Sequence, residues 1–195
     1  AARFYGHPEA DLELTGFMGT SGKTVASHLL RYFLSKNEPV GLLGTIHYTV
    51  GNRSLPAHRT TPEPIELFGL LSQIKDQDCR RAIMEVSSHG IDQQRVAGLS
   101  FHNLCLLNIT PEHLNYHGSV DQYVALERGF LHEQASGLQR FVAGADDDRV
   151  REILQTIPSR LKERTITFGC DPGADIRAEN IRYSDRDTRF TLVWP

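Results

Sequence analysis

The chain has 195 residues, of which 39% are hydrophobic and 23% are charged, and its formal net charge is −3. This balance predicts one globular domain with a proper hydrophobic core and excludes a disordered or fibrous chain. The slight acidity, without a basic stripe, argues against nucleic acid as the main partner.

No long apolar run or signal peptide is visible in the sequence, so we expect no association with a membrane. The three cysteines, Cys79, Cys105 and Cys170, lie far apart and lack the spacing of a metal site or a disulfide framework. A reducing, cytoplasmic setting is therefore expected.

Apolar strand-like runs alternate with segments of helical period, which predicts an α/β fold with a P-loop-type, mostly parallel sheet flanked by helices. The predicted strands cover residues 12–17, 40–46, 81–86, 104–109, 140–143 and 165–168. The predicted helices cover residues 23–35, 64–75, 120–133 and 147–157. Near the C-terminus, residues 175–183 and 189–194 alternate around a turn-like segment, which predicts an antiparallel hairpin.

The segment from Gly16 to Thr24 follows the first predicted strand and opens the first predicted helix. Its glycines let backbone N–H groups turn toward an anion, Lys23 can reach the outer phosphates, and the Thr24 hydroxyl can hold a magnesium ion. The general motif has a glycine where Phe17 stands, and an ordinary strand-to-helix turn is the alternative. The order of strand, loop and helix favours a nucleoside triphosphate. The predicted nucleotide-binding residues are Gly19, Thr20, Ser21, Gly22, Lys23, Thr24 and Val25.

Glu85 lies at the end of an apolar run, where a carboxylate is costly to bury without a partner. In a P-loop protein it could complete a hard-oxygen magnesium site together with Thr24 and phosphate oxygens. The alternative is a structural ion pair with a lysine or arginine at the strand end.

His113 and His117 are four residues apart, a spacing that on a helix could serve a zinc ion. Pro111 and Gly118 favour a loop or a short turn instead, so zinc is the weaker interpretation. A histidine hydrogen-bonded within the fold is the common outcome for such residues.

Together these segments resemble the central ATP-binding domain of the Mur ligases, in particular the branch that adds the third residue to a peptidoglycan precursor peptide. The resemblance rests on the P-loop, whose glycine spacing is usual in that family, on Thr60-Thr61-Pro62-Glu63, and on residues 84–90, 93–96 and 113–118. It covers residues 1–195. We expect the chain to stop short of that domain's usual end and to lack the family's N-terminal UDP-binding and C-terminal ligase domains.

The resemblance implies ATP and Mg²⁺ as cofactors, and a UDP-N-acetylmuramoyl dipeptide and an amino acid as substrates. ATP would phosphorylate the dipeptide's terminal carboxylate, and the amine of the amino acid would attack the resulting acyl phosphate. Lys23, Glu85 and His113 would carry the catalytic roles, with Thr24, Glu85 and His113 as metal ligands. The residues expected to contact the muramoyl substrate are Thr60, Thr61, Ser87, Gln93 and Arg95.

Several positions depart from the family pattern, among them Glu112 and Asn115, which stand where the family usually carries aspartates. Glu127 stands where the family commonly carries a carbamylated lysine that serves a second magnesium, and a glutamate is several bonds shorter. Glu127 is therefore either a metal ligand acting through a bridging water or a solvated charge on its helix. Gly144 replaces a usual asparagine near the nucleotide, and Ser21 replaces another.

Three functions stay open from the sequence. The first is a Mur-type amide ligase, and the second is a degenerate or fragmentary nucleotide-binding module, which Glu127 and Gly144 favour. The third is another P-loop enzyme, such as a folylpolyglutamate synthase-like ligase or a small-molecule kinase. The Thr60-Thr61-Pro62 segment and residues 85–89 favour the Mur ligases over this third possibility.

Overall fold

The structure, a computed structural model, describes residues 1–194. One ten-stranded sheet runs through it in the order β10-β9-β8-β7-β6-β1-β5-β2-β3-β4. The strands are β1 (Glu13–Met18), β2 (Val40–Leu43), β3 (His47–Val50), β4 (Arg53–Pro56), β5 (Arg81–Glu85), β6 (Asn103–Leu106), β7 (Arg140–Gly144), β8 (Thr165–Gly169), β9 (Ile176–Tyr183) and β10 (Thr188–Val193). Neighbouring strands are parallel from β9 across to β2.

The helices are α1 (Lys23–Leu34), α2 (Pro64–Asp76), α3 (Ser88–Asp92), α4 (Leu114–His117), α5 (Val120–Gln134), α6 (Asp148–Thr156) and α7 (Ser159–Lys162), preceded by a 3-10 helix at Pro8–Asp11. Each long predicted helix is present, with ends that differ by at most one residue. The short helices α3, α4 and α7 were not predicted, because a single turn carries no readable period.

Two sets of buried apolar residues sandwich the sheet. The larger set packs β1, β5 and β6 against α2 and α5, with Leu14, Leu71 and Leu131 fully buried. The smaller set packs the other face against α1. Because parallel strands bury both faces, their sequences are almost continuously apolar, which is why the sequence pattern identifies them well.

The predicted strand over residues 40–46 is too long. It ends at Leu43, and at the next residue, Gly44, a β-carbon would lie only 2.2 Å from Glu85 Oε1. The chain then forms an antiparallel hairpin of β3 and β4 beside β2, which was not predicted. The predicted C-terminal hairpin is confirmed as β9 and β10, although β9 also pairs in parallel with β8.

Within the described residues, 1–194, no helix is both long enough and apolar enough to cross a bilayer.

Candidate functional site

The loop between β1 and α1 is held in a shape that only glycine adopts easily. Gly19 and Gly22 have φ angles of 100° and 91°, in the left-handed region. At Gly19 a β-carbon would lie 2.5 Å from the Asn108 carbonyl oxygen. The loop therefore passes directly against the end of β6 before α1 begins, and the first three N–H groups of α1, those of residues 23–25, have no intrahelical acceptor.

Asn108 clamps this loop through three hydrogen bonds. Its backbone oxygen accepts from the Thr20 N–H at 2.9 Å, and its side-chain oxygen accepts from the Ser21 N–H at 2.9 Å. Its amide nitrogen donates to the Ser21 carbonyl at 3.0 Å. The Thr20 hydroxyl also exchanges hydrogen bonds with the backbone of Thr110. The predicted strand over residues 104–109 ends at Leu106 because the following residues hold the loop.

Lys23, the first residue of α1, folds back over the loop. Its Nζ donates to the carbonyl oxygens of Gly19 at 2.5 Å and Thr20 at 2.9 Å. This places an ammonium group beside the free N–H groups at the positive end of a helix, an arrangement that suits a phosphate chain. Val25 has an exposed side chain that points out of α1, so only its backbone could take part.

Glu85 is fully buried at the end of β5, next to β1. Its Oε2 accepts hydrogen bonds from the hydroxyls of Thr24 at 2.8 Å and Thr45 at 3.0 Å, and its Oε1 accepts from the Thr45 N–H at 3.0 Å. The partners are thus threonines rather than the lysine or arginine of the alternative interpretation. Thr45 was not predicted as a site residue, because the predicted strand ran to residue 46, three residues past the actual end of β2 at Leu43.

The donor set suits a magnesium ion shared with a nucleotide. Among residues 1–194, no three His, Cys, Asp or Glu side chains are placed to cage a metal. Mg²⁺ in phosphate-transfer sites needs only one or two carboxylates, completed by phosphate oxygens and water. The carboxylate of Glu85 and the hydroxyl of Thr24 offer such hard-oxygen ligands at the head of α1.

A cleft of about 570 Å³ opens at the carboxyl ends of the central strands. Besides Thr20 and Gly22–Thr24 of the P-loop, it is lined by predicted site residues from four other segments, namely Thr60, Glu85, Ser87, Gln93, Arg95 and His113. Arg59, His89 and Glu112 also line it and were not predicted. Arg59 and Glu112 each stand next to a motif, so sequence proximity was the available signal.

Thr61 does not line this cleft. It is fully buried, and its hydroxyl donates to the Glu85 carbonyl at 2.9 Å and accepts from the Ser87 N–H at 2.9 Å. Direct contact between Thr61 and a substrate, as expected from the sequence, does not fit this geometry. Thr61 instead fixes the backbone that carries Ser87, which caps α3 by accepting from the Gly90 N–H at 3.1 Å.

His113 sits at the rim, half-exposed and in the left-handed region with φ 54°, at the start of α4. Its ring lies 4.8 Å from that of His89, and the ring of His117 lies 5.5 Å from His89. Burial, followed by the nearby rings of His113 and His117, lowers the pKa of His89. His117 Nε2 is 2.9 Å from the Ser88 hydroxyl. His117 is thus hydrogen-bonded within the fold, whereas His113 and His89 line the cleft.

Glu127 is not the solvated helix charge that one sequence interpretation described. It is fully buried on α5, neither carboxylate oxygen has a hydrogen-bond partner among residues 1–194, and it does not line the cleft. Burial raises its pKa to about 7, while the positive charge of Lys23 acts in the opposite direction. Tyr123, one turn earlier on α5, contacts the P-loop, with its hydroxyl 3.1 Å from that of Thr20.

Gly144 ends β7 where no side chain fits. A β-carbon at this position would lie 2.1 Å from the carbonyl oxygen of Leu107. A second cavity of about 340 Å³ adjoins the P-loop here, lined by Leu107, Asn108, Gly144, Asp146, Asp147 and Phe168. Gly144 therefore allows the end of β7 to lie close to Leu107, which follows β6, and it also forms part of the wall of this cavity.

Comparison with known proteins agrees with this geometry. Residues 18–195 match the Mur ligase middle domain. The chain is 36% identical over 193 residues to the UDP-N-acetylmuramoyl-L-alanyl-D-glutamate–2,6-diaminopimelate ligase of Alkaliphilus metalliredigens, covering 98% of this chain and 38% of that protein. The chain therefore spans less than two fifths of that curated relative.

Two solved structures share the fold. A UDP-N-acetylmuramoyl-L-alanyl-D-glutamate–2,6-diaminopimelate ligase superposes with a TM-score of 0.82 at 24% identity, covering 94% of this chain and 37% of that one. The folylpolyglutamate synthase of Mycobacterium tuberculosis, complexed with ADP, gives 0.71 at 13% identity, covering 98% and 49%. With its P-loop, its cleft and the match over residues 18–195, this chain belongs to the Mur ligase family.

Proposed function

We propose that this chain is the ATP-binding part of an amide ligase that adds the third amino acid to UDP-N-acetylmuramoyl-L-alanyl-D-glutamate. The observation that carries the proposal is the hydrogen bond between Thr24 and Glu85 at the head of α1, beside the ammonium group of Lys23. A carboxylate and a hydroxyl in contact, close to a positive charge at one end of the cleft, support a site for a cation and a phosphate chain. The relatives named as diaminopimelate ligases support the substrate class.

Each group has a role that follows from its position. The P-loop N–H groups and Lys23 would hold the triphosphate and neutralise charge on the transferred phosphoryl group. A magnesium ion, held by Thr24 and Glu85 with His113 near the rim, would supply further charge neutralisation. The same cleft is also lined by Thr60, Ser87, Gln93 and Arg95, which would position the muramoyl dipeptide.

The reaction then consists of two transfers between substrates. The terminal carboxylate of the dipeptide attacks the γ-phosphorus of ATP, releasing ADP and forming an acyl phosphate. The neutral amine of the incoming amino acid attacks the acyl carbon, the C–N bond forms as the C–O bond to phosphate breaks, and inorganic phosphate and a proton from the nitrogen are released. Such chemistry depends mainly on positioning and charge neutralisation, which the cleft residues offer.

The test is calorimetric titration of the 195-residue chain with Mg·ATP, compared with Lys23→Ala. Lys36→Ala is the matched control, because Lys36 lies over the rings of Tyr32 and Phe33 at the far end of α1. Binding that is lost in Lys23→Ala and retained in Lys36→Ala supports the nucleotide site. Unchanged affinity in Lys23→Ala would refute the P-loop assignment.

A second candidate function is a nucleotide-binding module that does not ligate, and the burial of Glu127 away from the cleft favours it. Hydroxylamine traps acyl phosphates, so ATP-dependent hydroxamate formation from the UDP-muramoyl dipeptide separates the two candidates. Hydroxamate formed by the original chain supports the ligase. Hydroxamate formed only by Glu127→Lys supplied with bicarbonate would identify a degenerate domain.

A further inference from the structure

Two arginines on the cleft wall share a single glutamate oxygen. Arg59 Nε lies 3.1 Å from Glu63 Oε1, and Arg95 Nε lies 3.2 Å from the same atom. Both arginines line the cleft, whereas Glu63 does not. Since two positive charges face one carboxylate, this trio carries an excess positive charge beside the cleft.

The guanidinium of Arg95 is held rigidly and keeps one donor incompletely used. Its side chain is only 7% exposed, and it donates to the Thr61 carbonyl at 3.0 Å and to the Gln93 side-chain oxygen. Its buried Nε, by contrast, has no well-directed hydrogen bond among residues 1–194, although Glu63 lies within ion-pair distance. A buried N–H group without a well-aligned acceptor destabilises the folded chain until an acceptor approaches along the N–H direction.

Arg59 has a fixed backbone and a side chain with freedom to move. The Tyr48 hydroxyl, itself buried, donates to the Arg59 carbonyl at 2.7 Å and accepts from the Arg59 N–H at 3.2 Å. The Arg59 side chain is 53% exposed, and that of Glu63 is 48% exposed. Because an ion pair between two exposed side chains is weak, a substrate anion can displace Glu63 from Arg59 at low cost.

We propose that Arg59 and Arg95 form an anion-binding site in which Glu63 takes the place of a substrate anion until that anion arrives. The anion is a carboxylate or a phosphate group, both of which the planar guanidinium fork binds well. The inference rests on the proposed function, because a UDP-muramoyl dipeptide carries both groups. It adds Arg59 as a substrate-binding residue and gives Glu63 the role of an internal competitor.

The test follows the side-chain Nε–Hε signal of Arg95 by ¹⁵N NMR on the 195-residue chain. L-alanyl-D-glutamate and inorganic diphosphate are titrated separately, and the anion with the lower half-saturating concentration identifies the source. Glu63→Gln removes the competitor and should lower that concentration roughly fivefold, whereas Arg59→Gln should raise it by a similar factor. Arg53→Gln, an exposed arginine on β4 that hydrogen-bonds to Gln73, should change nothing.

Two results would overturn the proposal. One is an Arg95 signal that neither anion shifts in the original chain or in Glu63→Gln. The other is a Glu63→Gln variant that weakens anion binding as Arg59→Gln does, since Glu63 would then be a partner rather than a competitor. Mg·ATP binding, measured on the same samples, separates this failure from failure of the proposed function.

Discussion

Replacing Glu127 by glutamine should stabilise the chain at high pH and change its stability little at low pH. Glu127 is fully buried and lacks hydrogen-bond partners among residues 1–194, so its charged form is disfavoured in the folded state. Burial raises its pKa from 4.5 to about 7 despite the opposing charge of Lys23. The amide of Glu127→Gln has nearly the same shape and no charge.

The sign and size follow from proton linkage. A carboxyl group whose pKa is higher in the folded state contributes stability that is fully present below about pH 4.5 and is lost as the pH rises through about 7. Each pKa unit corresponds to about 1.4 kcal/mol, so the full loss amounts to about 3 kcal/mol. The difference in the free energy of unfolding between Glu127→Gln and the original chain should therefore grow by about this amount between about pH 5 and about pH 8.

Urea unfolding followed by circular dichroism, repeated across this pH range, measures the difference directly. Glu133→Gln is the matched control, because Glu133 is an exposed glutamate on the same helix and should change stability little at any of these pH values. If the curves for the original chain and Glu127→Gln ran parallel across the range, the reasoning from burial would be wrong.

Three other substitutions test the site and its frame. Lys23→Ala should abolish detectable Mg·ATP binding in calorimetry, because it removes the charge that reaches the outer phosphates, while the unfolding midpoint stays close to that of the original chain. Gly144→Ala should lower the free energy of unfolding by about 2 kcal/mol or more, because its β-carbon would meet the Leu107 carbonyl oxygen. Gly129→Ala should instead raise the free energy of unfolding by about 1 kcal/mol, because Gly129 lies on α5 with open space around it and alanine favours the helix. Asp147→Ala should cost about 2 kcal/mol in urea unfolding, because Asp147 caps α6 and also accepts from the Ile109 N–H at 3.0 Å; a cost below about 0.5 kcal/mol would contradict this.

The parallel core could be predicted because its strands are apolar on both faces and its long helices begin and end with clear signals. The hairpin of β3 and β4 could not, because each strand has four residues and β4 is largely exposed. The signal available in the sequence was Gly51, a turn residue between the two strands, and in the structure its φ angle is 57°. The ends of β2 and β6 were predicted too late, because the residues that follow them leave the sheet: Thr45 hydrogen-bonds to Glu85, and Asn108 hydrogen-bonds to the P-loop.

Within the site, residue types and spacing were enough to predict Lys23 and Thr24, because the P-loop is one continuous segment of the sequence. The burial of Glu127 is a long-range property, although its position hinted at it. It lies four residues after Tyr123 and three before Phe130, on the helix face that turns toward the core. Glutamates on helices are commonly exposed, so this spacing alone did not decide that Glu127 is buried. The sharing of Glu63 by Arg59 and Arg95 depends on side-chain geometry that spacing alone does not specify.

The clamp formed by Asn108 has a kinetic consequence. Its three hydrogen bonds, together with those between Thr20 and Thr110, hold the P-loop in its cradle shape through contacts within the chain. A loop that is already ordered loses little conformational entropy when an anion arrives, so more of the interaction energy is expressed as affinity. Association should then be limited by diffusion and by the release of Lys23 from its two carbonyl partners, rather than by a slow rearrangement of the backbone.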